Sequence, residues 1–457
     1  MIRRILLLVL LLVSYTNFVS AQQQNYQLGL SFNDLEYHKV AKRYFFVGKG
    51  LIPQAYSLKQ YCPKPLSQLD LTTSAGWAVS YAALTITRAH ERQWPLAEIT
   101  EKASSPIFPY YKAKKTPESG SMEEVSLVSV LEALKMYGTP DYLGLPSRSI
   151  NHVSEAEDIE AATKKISAYA RLYSVQDPKS TKINAIKNTL TENMPVVVGM
   201  HIPKSFFYAK EFWLPRELFK EDLPGHAVTV IGYDDNKFGG SFEIMNSWGT
   251  GWGNNGFMWI RYDDFIEFSQ YALTLYSIPG YNSASELAGS VDLTLFEGST
   301  KMAVKEVSAG HYKFVNSYPS GTIFTVNINN NTPAFVYAFA TDLTGEIYPF
   351  FPASSTSAAL NQAGSFYVPD QNTPIEIDDT IGTDYLCVLF SKEALNINYV
   401  YSSLNQISGS FNEKIMGAIN KQLVSVTEIQ FEQNQVKFKM PFSEQSVVLL
   451  IIEHDHR

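Results

Sequence analysis

Along the first half of the chain, apolar residues recur with helical and strand periods in turn. Residues 75 to 91 place Trp77, Tyr81, Leu84 and Ala89 at near-helical spacing with Ser74 at the N-cap position, which predicts a helix entering a buried core. "SMEEVSLVSVLEALKMYG" predicts an amphipathic helix with two glutamates in its first turn and Gly138 at its end. "MPVVVGMHI" reads as a strand. "HAVTVIGYDD", "SFEIMNSWG" and "GFMWIRYDD", separated by turn residues, predict an antiparallel sheet.

After residue 280 the pattern changes. Phe324, Val326 and Ile328 alternate, Asn329-Asn330-Asn331 punctuate, and Phe335, Tyr337 and Phe339 alternate again, which predicts a hairpin. "EIQFEQNQVKFKM" predicts another, turning near Asn434. "DYLCVLFS" and "SVVLLIIE" are continuous apolar runs, expected of strands buried on both faces. The second half is therefore expected to be a mostly-β sandwich. All six tryptophans precede residue 260, and the Gly-, Ser- and Pro-containing stretch 277 to 289 marks the seam.

Composition narrows the partners. The 457-residue chain carries a net charge of −8 and no useful basic run, which argues against nucleic acid. Arg3 and Arg4 precede a short apolar run, and Val19-Ser20-Ala21 supplies small residues at a cleavage position. That is the form of a secretory signal peptide ending at Ala21, too short to span a membrane comfortably, and no later run of such length follows. The mature chain is expected to be secreted or periplasmic. Two cysteines, Cys62 and Cys387, make no disulfide scaffold; separate buried thiols are the simpler expectation beside one bridge.

The chemistry concentrates in "LPGHAVTVIGYDDNKFGGSFEIMNSWGTGWGNNGFMWIRYDDF", residues 223 to 265. His226 opens one strand and Asn246 ends another twenty residues later, so an antiparallel pairing brings them together. The asparagine amide can orient the imidazole while Trp248 covers it from water. With its Gly225-His226-Ala227 opening and "NSWG" ending, this string resembles the histidine and asparagine half of papain-like cysteine peptidases. The resemblance extends to "LSQLDLTTSAGWAVSYAAL", residues 66 to 84. It implies that Gln68 contributes, with a backbone N–H, to an oxyanion hole, and that position 74 is the nucleophile at the start of a buried helix. The Ala75-Gly76-Trp77-Ala78 continuation and "SLKQYCP" upstream are similar to bacterial members. The implied fold is two-lobed, α+β, and covers roughly residues 50 to 278.

This sequence departs from the pattern at two places. Position 74 is Ser where the family has Cys, and Leu69-Asp70-Leu71-Thr72 follow Gln68 where the family has glycines. A cysteine at a helix N-terminus beside an imidazolium ionises readily, and an asparagine then suffices to orient the ring. A hydroxyl does not ionise there; it needs His226 as general base, and an asparagine in place of a carboxylate costs serine peptidases about 10⁴-fold. Leucine at position 69 also restricts a turn that glycine permits. The first expectation is a weakly active or inactive pseudopeptidase that binds peptides or proteins. The alternative is an active Ser74/His226/Asn246 hydrolase cleaving peptide bonds; a third reading makes Cys62 the nucleophile.

The expected organisation is a signal peptide over 1–21, a papain-like domain over 22–280 with Trp77 and Trp248 supporting the site, and a β-sandwich domain over 281–457. No cofactor or metal is expected: "DDNKFGG" lacks full calcium-loop spacing, His201 is expected to be structural, and His454 and His456 are expected in an exposed tail. With about 30 residues between the signal and the domain, inhibition by a long family-type pro-segment is not expected. "NNTPAFVYAFATDLTGEIYPFFP" and "GTDYLCVLFSKEALNI" resemble a bacterial peptidase-associated β-domain of unknown function, which leaves a surface or protein partner as its expected role.

Overall fold

The computed structural model describes residues 26–46, 51–116, 122–143, 152–277, 286–342, 344, 346–370, 373–441 and 443–456. The predicted signal peptide and residues 278–285 of the seam lie outside the described residues, and Leu287–Gly289 already belong to a strand.

The first half is a mixed α and β unit. Its sheet runs in the order Ile166–Arg171, Ser269–Ser277, Val196–His201, Gly225–Asp234, Ser241–Met245, Phe257–Arg261 and Phe212–Trp213, with Ala55–Ser57 added to the Gly225–Asp234 strand. The predicted antiparallel run is present: Thr229 pairs with Met245, and Met245 with Phe257. Against the sheet lies a buried helical rod built from Ser74–Gly76, a π-helical stretch Trp77–Leu84 and Thr85–Glu91. Apolar residues line the π stretch all round, which matches its complete burial. The cap is Thr73, and Ser74 is the first helical residue, one position inside the expected cap. The second predicted helix is shorter than the pattern implied, Leu127–Met136. Ser126 caps it by accepting the Ser129 N–H, while Glu123 turns back to accept the N–H groups of Lys115 and Thr116.

The second half packs two sheets face to face. One contains Ala334–Thr341, Gly382–Ser391 and Val447–His456; the other contains Leu287–Leu295, Ile323–Asn330 and Val436–Met440. The strands Ile323–Asn330 and Ala334–Thr341 do not form the predicted hairpin, because they belong to opposite sheets. Residues 331–333 carry the chain across, anchored by the buried Asn330 amide, which donates to the carbonyls of Thr332 and Gln362. Alternation reports which face a residue takes, but not which sheet its strand joins. Val336 and Ala338 point into the sandwich core, whereas Phe335, Tyr337 and Phe339 face the helices Ile397–Leu404 and Phe411–Ile419. That helical cover, absent from the sequence expectation, explains why the two continuous apolar strands are buried on both faces. The terminal histidine motif is also strand, and His454 is buried, contrary to an exposed tail.

Residues 41–46 tie the halves together. Arg43 N–H donates to the Arg171 carbonyl, Lys42 N–H to the Ser355 carbonyl, and Ser357 N–H back to Lys42. Tyr44 then packs edge-on against Phe351, and the Arg43 guanidinium is buried on Glu192.

Candidate active site

The sheet places His226 at the start of its central strand, opposite Met200, while Asn246 follows directly on the neighbouring strand's last residue. The imidazole Nε2 and the Asn246 Oδ1 are 2.8 Å apart. Because an amide oxygen only accepts, Nε2 carries the proton, and Nδ1 is left as a buried lone pair without a partner. The Trp248 ring lies 4.6 Å from the imidazole, as a water shield requires. Ser74 reaches the same strand: its Oγ accepts the Ala227 N–H at 3.4 Å. Trp77 packs against Tyr81 and Tyr142 in the helical lobe, and bounds with Asn246 and Ser247 a void of only about 10 Å³.

Gln68 is in this cluster, but its amide is committed elsewhere. Its Nε2 donates to the carbonyls of Leu71 at 2.6 Å and Leu28 at 3.2 Å, and its Oε1 accepts the Ser247 hydroxyl at 2.6 Å. Two carbonyls on one side and a hydroxyl on the other fix which way the amide points. Both of its protons are used, so none remains for an oxyanion. The following residue, Leu69, adopts φ +58°, a left-handed conformation costing a non-glycine residue about 1 kcal/mol. Leucine thus makes this turn in a left-handed conformation, and the Gln68 amide lies back on Leu71.

The site is closed from above by the chain itself. Residues 26 to 32 run between the two lobes. Tyr26 stacks on Trp248 at 4.7 Å, and the Trp248 Nε1–H donates to the Gln27 carbonyl at 3.0 Å. After the Leu28 contact with Gln68, Gly29 presses on the Thr72 backbone: a Cβ there would lie 2.3 Å from the Thr72 carbonyl carbon. Its φ of +133° also favours glycine. Leu30 N–H donates to the Gly225 carbonyl and Ser31 N–H to the Val125 carbonyl, so the strap bonds to both lobes. Consequently Ser74 and His226 are 0% exposed, Gln68 1% and Asn246 3%. No long pro-segment was expected to cover the site; seven residues of the chain, 26 to 32, cover it. Nothing in the hydropathy of 26–32 announces such a role; the need for glycine at position 29 is visible only once Thr72 is in place.

Burial holds the His226 pKa down at about 4, against a smaller upward pull from the Asn246 hydrogen bond. The ring is therefore neutral at ordinary pH: the protonation state a serine would need, but a weak base for it. The unfolded chain binds this proton more tightly, so stability is full above pH about 6.5 and falls as pH drops toward about 4, by about 3 kcal/mol in all. Urea unfolding at the two ends of that window should show this loss, and His226→Gln should lack the histidine's share of it.

Cys62 fits no nucleophilic role. It is buried, its Sγ lies 3.7 Å from the Leu58 carbonyl, and desolvation raises its pKa strongly. Both cysteines are free and buried. His201 is held between the Leu223 carbonyl and Gln270 and is stacked by Phe32, a structural arrangement. Asp235 accepts from Lys187 and Tyr262, and Asp234 from the Asn236 N–H, which builds a turn. Among the described residues no helix is long and apolar enough to cross a membrane.

Comparison with known proteins follows the same division. The papain family cysteine protease profile matches residues 133–274, which include His226 and Asn246 but not Gln68 or Ser74. A domain family of unknown function, DUF4384, matches residues 317–394. An uncharacterised peptidase C1-like protein of Acanthamoeba polyphaga mimivirus is 26% identical over 44% of this chain and 66% of its own length. Cysteine proteinase 3 of Entamoeba histolytica is 26% identical over 26% of this chain and 43% of its own. The chain thus spans less than two thirds of these relatives. Xylellain, a cysteine protease from Xylella fastidiosa, aligns at 22% identity over 56% of this chain and 97% of its own, with a TM-score of 0.44. Digestive procathepsin L 3 of Tenebrio molitor aligns at 18% identity over 53% and 77%, with a TM-score of 0.43. The chain therefore carries a papain-family peptidase domain, joined to a domain of a family whose function is unknown.

Proposed function

We propose that this chain is an exported pseudopeptidase, a papain-type fold that holds peptide or protein segments in its groove with little or no turnover. The observation carrying this reading is the Gln68 amide, whose two protons are spent on the carbonyls of Leu28 and Leu71. Loss of one oxyanion donor costs roughly 10²–10³-fold in rate. A hydroxyl nucleophile, an asparagine as third member and a depressed His226 pKa each lower the rate further. The groove holds one extended segment, residues 26–32, through backbone bonds to Gly225 and Val125, and a bound peptide would take over the same carbonyls once that segment is displaced. Export rests on the arginine-led apolar run ending at Ala21.

A slow serine hydrolase is the second reading. What favours it is the His226 tautomer, with Nε2 on Asn246 and Nδ1 free to accept a proton. Incubation with a broad peptide library, read by mass spectrometry, separates the two. The pseudopeptidase should cleave nothing beyond the background of a His226→Ala variant; cleavage that this variant loses would establish the hydrolase.

A further inference from the structure

The sandwich is not filled to its end. Val326, Ile328, Val388 and Leu450 close the middle of the space between the sheets. Toward the end where Ala334–Thr341 runs out and Gly382–Ser391 begins, the sheets leave a cavity of about 270 Å³. Phe314, Phe324, Phe350, Ile375, Leu386 and Ile452 line it. Protein interiors are ordinarily packed without voids of this size. Four of these walls, Phe314, Phe324, Phe350 and Ile375, are only half-buried, so apolar surface is left facing an open space.

The mouth has one sign of charge. Asp342, Glu376 and Asp378 stand among the lining residues, and no cation among the described residues is paired with any of them. Asp342 accepts the N–H and hydroxyl of Thr344, and Asp378 accepts the Thr380 N–H, which fixes both carboxylates locally without neutralising them. The fourth acid, Asp384, faces His454 at 3.6 Å on the inner wall. Tyr348 at the rim registers the same convergence: desolvation and then Asp342, Glu346 and Asp378 raise its pKa.

Size and charge together select the occupant. A cavity of about 150 Å³ holds a benzene ring, and drug-sized ligands take roughly 300–1,000 Å³. About 270 Å³ therefore fits one aromatic or long aliphatic side chain with its linker. We infer that this cavity is a recognition pocket for a basic peptide segment, which inserts one aromatic or long aliphatic side chain between the sheets and sets flanking Lys or Arg side chains on Asp342, Glu376 and Asp378. Burying the ring supplies affinity, and the carboxylates supply selection and salt dependence. The pocket lies in the second domain and is independent of the Ser74 site.

The test uses the full chain and fluorescently tagged pentapeptides, read by polarisation. Lys-Lys-Phe-Lys-Lys should bind with Kd below about 1 mM at low salt and weaken as salt is added. Replacing its Phe by Ser, or its four Lys by Glu, should each lose about tenfold or more. Ala340→Trp, which fills the cavity from its wall, should abolish binding. The triple variant Asp342→Asn, Glu376→Gln, Asp378→Asn, at the solvated mouth where folding is not at risk, should weaken it about tenfold and flatten the salt dependence. Absence of binding, indifference to the Phe replacement, or wild-type affinity in the triple variant would each overturn the assignment. So would binding of dodecylamine without binding of the peptide, since the pocket would then belong to a free amphiphile.

Discussion

A Ser74→Cys thiol should alkylate slowly with iodoacetamide, and adding Gly29→Val should accelerate that reaction about 100-fold or more. The single variant places the thiol at a helix N-terminus beside His226, where a thiolate–imidazolium pair would form if solvent and reagent could enter. They cannot enter while residues 26–32 bridge the lobes. That strap is held by its hydrogen bonds to Gln68, Trp248, Gly225 and Val125 and by the burial of Leu30. At about 1 kcal/mol net for each bond and about 2 for the leucine, the total is several kcal/mol, enough to hold labelling to rare openings. A valine at position 29 would drive its Cβ into the Thr72 backbone and demand a φ of +133°, so the strap would leave its seat. His226 then regains water, its pKa rises toward the ordinary value, and the ion pair becomes favourable. Cys62 and Cys387 are buried and should contribute little background. Peptide cleavage by the double variant should still lag labelling, because Gln68 remains turned onto Leu71. Equal labelling of the single and double variants would remove the strap from the account.

Arg43→Ala should cost about 3–5 kcal/mol, the largest stability loss expected of any single change at the junction. Arg43 and Glu192 are paired with only 2% and 8% of their side chains exposed, so removing the cation strands a buried carboxylate. The same residue carries the backbone bond to Arg171, and the segment around it joins Lys42 to Ser355 and Tyr44 to Phe351. Since every tryptophan precedes residue 260, tryptophan fluorescence in urea reports the first domain alone. Its midpoint should fall, and circular dichroism should follow a separate curve for the sandwich, because loss of the tie breaks two-state behaviour. Arg43→Met combined with Glu192→Leu should recover most of the loss, as apolar replacements of buried ion pairs often do. An unchanged tryptophan midpoint in Arg43→Ala would show that the pair contributes nothing.

The parts of the site legible in the sequence were those fixed by local spacing. His226 opens one strand of a meander and Asn246 and Trp248 follow directly on the end of its neighbour, so twenty residues of turn and strand suffice to bring them together. Gln68 bonds to Ser247, next to Asn246, but the direction of its amide depends on Ser247, Leu28 and Leu71, which no spacing rule connects. The strap was invisible for the same reason: its seven residues acquire meaning from Thr72, Val125 and Gly225. In the second half, alternation identified Phe335, Tyr337 and Phe339 as one face of a strand. It did not reveal that this face meets two helices, because the helices come some sixty residues later.

The most direct test of the central claim is to expose the wild-type protein to a fluorophosphonate and map the modified residue by mass spectrometry. A serine activated by a neighbouring base within an oxyanion hole captures this reagent; a serine sealed under the chain's own strap, beside an amide with no free proton, does not. The expected result is no modification at Ser74, in the wild type or in Gly29→Val. Stoichiometric labelling of Ser74, lost when His226 is replaced by alanine, would contradict the account and make this serine a working nucleophile.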